Sequence, residues 1–121
     1  EAGVEDISAG MSVSWSDYNN DGLMDVYVGN MFSSAGGRIS YQRQFHPHGS
    51  SDVLGSYQRH ARGNTLLKNL GDGTFQDVTD EAGVAVGGWA WGGAFVDIDN
   101  DGLPDLHSPD GFVTNRDLDD L

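Results

Sequence analysis

Two nine-residue stretches carry the residue types and the spacing that bind a hard cation. They are Asp17-Tyr18-Asn19-Asn20-Asp21-Gly22-Leu23-Met24-Asp25 and Asp97-Ile98-Asp99-Asn100-Asp101-Gly102-Leu103-Pro104-Asp105, and both fit D-x-[DN]-x-D-G-x-x-D. Calcium takes about six to eight oxygen ligands in flexible geometry. Side chains at loop positions 1, 3 and 5 converge when the backbone curls. Gly at position 6 permits the sharp bend, the carbonyl at position 7 turns toward the ion, and the carboxylate at position 9 closes the shell. The spacing predicts two Ca2+ ions, one held by Asp17, Asn19, Asp21, Leu23 and Asp25, the other by Asp97, Asp99, Asp101, Leu103 and Asp105. An EF-hand is excluded, because position 12 holds Val28 and Ser108 in place of the bidentate Glu. The second loop has four carboxylates against three and is expected to bind more tightly. Magnesium, which keeps several waters, suits these protein-built oxygen cages less well. The plain alternative for a single such loop is an Asx-rich turn without metal, since Asp, Asn and Gly are turn formers anyway.

The elements that position these loops recur with them. At an offset of 80, Glu1-Ala2-Gly3-Val4 meets Glu81-Ala82-Gly83-Val84, Asp17 meets Asp97, Asn20 meets Asn100, Asp21-Gly22-Leu23 meets Asp101-Gly102-Leu103, Asp25 meets Asp105, and Phe32 meets Phe112. Residues 1–41 and 81–121 share 11 identities in 41, concentrated at Gly and Asp positions. The chain therefore holds about one and a half repeats of 80 residues. Repeat units bury their faces against neighbours, so this length predicts either a part of something larger or copies that complete one another. The absence of Met at Glu1 reads the same way, as a processed product or a piece.

Residues 11–16 alternate apolar and polar, which predicts a half-buried strand with Met11, Val13 and Trp15 on its inner face. Asp25 to Val28 predicts a second strand after the first loop. Asn64 to Leu70 and Thr74 to Val78 predict a β-hairpin around Asn69-Leu70-Gly71-Asp72-Gly73. Thr79 to Ala82 predicts one helical turn capped by Thr79 or Asp80. The second copy predicts Trp89 and Trp91 alternating, then Ala94-Phe95-Val96, the loop, and Leu106. Residues 33–63 read as a polar surface insertion, with a short helix over Tyr57 to Arg62 and no long helical periodicity. The insertion carries four of the six bases (Arg38, Arg43, Arg59, Arg62) and three of the four His. The organisation is thus 1–32, a half repeat with the first loop; 33–63, the insertion; and 64–121, the hairpin with the second strand–loop–strand unit, all one domain or part of a larger propeller.

Composition narrows the function classes. The net charge is −13, from 19 acids against 6 bases, which argues against nucleic acid as a partner. Seven of the 19 acids fall in the two loops, where like charges repel unless a cation offsets them. Hydrophobic residues make up 37%, below the usual share of about 45–50%, so metal ions or neighbouring repeats are expected to help hold the fold. There is no Cys, hence no disulfide, Cys-based zinc site or thiol nucleophile. No run approaches a membrane span and there is no N-x-[ST] sequon.

The loops, together with Asn64-Thr65-Leu66-Leu67-Lys68-Asn69 running into Gly71-Asp72-Gly73-Thr74-Phe75-Gln76-Asp77-Val78-Thr79, resemble FG-GAP/VCBS repeats, the propeller blades of integrin α subunits and many secreted bacterial proteins. Glu81-Ala82-Gly83-Val84 followed by Gly88-Trp89-Ala90-Trp91-Gly92 is similar to the cartilage acidic protein (ASPIC/UnbV-type) group. The resemblance covers residues 1–32 and 64–115. It implies an all-β fold of antiparallel β-propeller-type blades with calcium loops between strands, and an extracellular or cell-surface location.

The leading expectation is a calcium-braced structural or adhesive module, not an enzyme, with neighbouring repeats or copies of itself as partners and an extracellular protein or glycan as a further one. Self-assembly through an open strand edge is the second reading. A metal-dependent enzyme using His46, His48, His60 or His107 is the third, and no activated nucleophile pattern supports it. Trp15, Trp89 and Trp91 are expected to pack in the core or between blades, Asp72 and Asp77 to serve a turn and a strand edge, and Asp117, Asp119 and Asp120 to form a solvated acidic end.

Overall fold

A computed structural model describes residues 1–110. The expectations placed on Phe112, Asp117, Asp119 and Asp120, and the end of the 64–121 unit, lie outside the described residues. Four strands form one antiparallel sheet in sequence order: β1 (Gly10–Ser16), β2 (Asp25–Asn30), β3 (Thr65–Asn69) and β4 (Phe75–Asp77). A second sheet pairs β5 (Ala94–Val96) with β6 (Asp105–His107). The strand–loop–strand units around both Asp loops and the β3–β4 hairpin therefore follow the sequence reading. The fold is mostly β.

The strand pairing divides the four-stranded sheet into two faces, because directly opposed residues share a side. Ser14 opposes Tyr27, and Tyr27 opposes Leu66. This face holds the core of Tyr27, Leu66 and Val78, against which Tyr18, Val84, Phe95 and Leu106 pack. The second sheet covers it: Phe95 stands edge-on to Tyr27, and the Ser14 hydroxyl donates to the Gly93 carbonyl. The other face carries Val13 opposite Val28 and Trp15 opposite Val26. Here the burial expectation for β1 is corrected. Val13 and Trp15 are 60% and 57% exposed, and it is the serines that turn inward. Small side chains on that side let the second sheet approach closely. The tryptophans are likewise not core residues, since Trp89 and Trp91 are also exposed. They sit in isolated-bridge and loop conformation before β5 rather than in a strand.

The insertion is a second correction. It folds into α1 (Ser34–Ser40) and α2 (Ser51–Arg62), which pack on each other. Ser33 and Ser50 cap the two N-termini by accepting the amides of Gly36 and Val53. Val53, Tyr57 and Ala61 follow at four-residue intervals along α2, the spacing of one helix face. Phe45 and His46 close over Tyr57, with His46 stacked on its ring at 5.1 Å. Arg62 and Arg59 of α2 reach Asp77 of β4 at 2.8 and 3.5 Å, which fixes the insertion to the sheet. After α2 the chain turns at Gly63, whose φ of 108° and approach to the Ala85 carbonyl leave no space for a Cβ.

The single helical turn α3 (Thr79–Ala82) forms as expected, but its cap does not. Thr79 is buried and its hydroxyl accepts the Leu66 amide, so it joins α3 to β3 instead. No helix among the described residues is long and apolar enough to cross a membrane.

Candidate metal centres

Each Asp loop hangs between two antiparallel strands, β1 and β2 for the first and β5 and β6 for the second. The two loops fold alike and share five equivalent hydrogen bonds. The position-1 carboxylate accepts two amides: Asp17 takes Asp21 and Gly22 at 2.9 and 2.8 Å, and Asp97 takes Asp101 and Gly102 at 3.1 and 3.0 Å. Position 3 accepts the same amide of position 5, through Asn19 at 3.1 Å and Asp99 at 3.2 Å. Position 5 accepts the amide of position 7, Leu23 at 3.0 Å and Leu103 at 2.8 Å. Position 9 reaches back to position 2, Asp25 to the Tyr18 amide and Asp105 to that of Ile98. Asn20 and Asn100 are left-handed, with φ of 56° and 60°. Gly22 and Gly102 follow at 85° and 86°, a conformation that costs little only at Gly.

The second loop brings Asp97, Asp99 and Asp105 together, each offering a carboxylate oxygen, and these oxygens lie within 4.8 Å of one another. In a shell of radius about 2.3–2.6 Å no two ligand oxygens stand more than about 5 Å apart, so the set fits one calcium ion, and its all-oxygen chemistry suits a hard cation. Asp101 stands outside the gathered set, with Oδ1 on the Leu103 amide. In the first loop Asn19 takes the place of Asp99, so no three carboxylates gather there.

The first loop is tied to the sheet by residues the motif does not contain. Asp25 is fully buried, and its Oδ1 accepts the Asn69 amide from the end of β3 at 2.7 Å. Asn69 Nδ2 donates to the Met24 carbonyl at 3.0 Å. Next to it on β3, Lys68 Nζ lies 3.5 Å from Asp21 Oδ2, which also accepts from Asn19 Nδ2. Desolvation pushes the Asp21 carboxyl up, but the bonds from the Leu23 amide, Asn19 and Lys68 outweigh it and hold it below its ordinary value. The sequence marks Lys68 as a strand residue and Asn69 as the strand end that opens a turn. Their meeting with a loop 44 residues away is set by strand register.

The His residues do not assemble. His60 contacts the Ile7 carbonyl through Nδ1 at 2.7 Å, His46 stacks on Tyr57, and no His joins a group of metal-ligating side chains among the described residues. Asp72 caps its turn through the Thr74 amide and hydroxyl, while Asp77 binds Arg62 and Thr79.

Two family models match the sequence. One described as FG-GAP-like repeat covers residues 48–108, half of the chain, and one described as FG-GAP repeat covers residues 9–41. No curated protein and no solved structure matches the chain.

Proposed function

The chain belongs to the FG-GAP-like repeat family, and on that premise we propose that it is an extracellular or cell-surface structural module whose two Asp loops are braced by Ca2+. The observation that carries the reading is the gathering of Asp97, Asp99 and Asp105 oxygens within 4.8 Å on an exposed loop. Like charges so close favour a bound cation. Asp97, Asp99 and Asp105 would hold the second ion, with Asp17, Asn19 and Asp25 in the same places of the first loop. A bound ion supplies charge neutralisation and ties one end of a strand pair together. Because the unfolded chain offers no formed site, binding free energy becomes folding free energy. Affinities of about 0.1–1 mM suit an extracellular module. No group on the chain takes a catalytic role in this reading. The order of the Asp72-Gly73, Glu81-Ala82-Gly83-Val84 and Trp89 motifs favours the cartilage acidic protein type among the family's groups.

Isothermal calorimetry tests the proposal. Two sites are expected in the native chain and one after Asp97→Asn combined with Asp99→Asn. Absence of binding at millimolar calcium would make the loops ordinary turns.

A second reading, association with a neighbouring repeat or a second copy, has its own support. Trp15 is exposed at the repeat position where Phe95 is packed.

A further inference from the structure

The two loops share a backbone but not a charge environment. Lys68 stands 3.5 Å from Asp21 in the first loop, while among the described residues no basic side chain pairs with Asp97, Asp99, Asp101 or Asp105. Both oxygens of Asp21 are engaged, Oδ1 by the Leu23 amide and Oδ2 by Asn19 and Lys68. Among the described residues Asp101 has one oxygen engaged, Oδ1 by the Leu103 amide. Asn19 also removes one negative charge relative to Asp99.

We propose that Lys68 is a tethered counter-cation of the first loop, which competes with calcium there and makes that site the weaker of the two. This rests on the reading that both loops take calcium. The ammonium offsets part of the repulsion among Asp17, Asp21 and Asp25, so the loop keeps its shape without metal. An arriving divalent ion meets a like charge already present beside position 5 and gains less from the same ligands. Lys68 is a positioning residue rather than a ligand. The adjoining Asn69 grips Asp25 and Met24, so β3 holds the loop at both position 5 and position 9. The second loop, which has no such cation among the described residues and is richer by one carboxylate, fills first as calcium rises.

Calcium calorimetry on the full chain, with Lys68→Met and Lys68→Arg, tests this. The native chain is expected to show two constants. Lys68→Met tightens the weaker one about three- to tenfold, leaves the stronger unchanged, and lowers the melting temperature measured in EDTA, whereas Lys68→Arg behaves like the native chain. A role in strand packing alone would move the EDTA melting temperature without tightening any site. Lys68→Gln, and independently Asn19→Asp, serve as second variants should Lys68→Met fold poorly, and each is expected to tighten the weaker site. Two unchanged constants in Lys68→Met and Lys68→Gln would overturn this inference while leaving the calcium reading intact. No calcium uptake by the native chain would overturn both.

Discussion

Phe95 stands edge-on against Tyr27, ring centroids 6.1 Å apart and planes at 79°, and this contact seats the second repeat on the first. Tyr27 is fully buried on β2, and burial raises its hydroxyl pKa above the ordinary 10.0. Gly93 makes the approach possible, since a Cβ there would fall 2.7 Å from the Tyr27 ring. Phe95→Ala is expected to destabilise the chain by roughly 2 kcal/mol, below the range for a fully buried Phe because the ring is only partly covered. Gly93→Ala should also destabilise. Urea unfolding with calcium present measures both.

Trp15 occupies the position of Phe95 one repeat earlier, yet more than half of it is exposed, with Phe75 at 6.4 Å as its ring partner. Trp15→Ser is therefore expected to cost the isolated chain no more than about 1 kcal/mol. If this face receives a neighbouring repeat, the same change weakens self-association at high concentration. Sedimentation velocity of the native chain and the variant compares them.

Asp77 holds the helical insertion to the sheet. Desolvation pushes its carboxyl up, but the Thr79 hydroxyl and Arg62 outweigh this and hold its pKa below the ordinary 3.8. A depressed folded-state pKa stabilises above the unfolded value and loses that contribution as pH falls through the folded one. The Asp77 contribution is thus complete at pH 7 and fades below about pH 4. Asp77→Asn is expected to destabilise by roughly 1–2 kcal/mol at pH 7. It should also flatten the acid limb of stability, as thermal melts between pH 2 and 7 would record.

Strand periodicity and loop spacing made β1, β2, the β3–β4 hairpin and both Asp loops legible in the sequence, because alternation and Asp–Gly turn chemistry are local signals. What escaped was set by tertiary contact. The inward face of β1 went to Ser12 and Ser14 rather than to Val13 and Trp15, since the glycine-rich segment before β5 requires small neighbours. The insertion looked loop-like because Gly36, Gly37 and Gly55 dilute its helical pattern, although Ser33 and Ser50 were capping signals in plain view. Of the candidate site, the spacing that gathers Asp97, Asp99 and Asp105 could be read, but not the grip of Lys68 and Asn69 on the first loop, which depends on strand register.

Thermal melting of the chain in excess calcium and in EDTA tests the central claim most directly. If calcium braces the two loops, the midpoint rises by several degrees with the ion, and Asp97→Asn with Asp99→Asn loses most of that rise. Identical midpoints in calcium and EDTA would contradict the account.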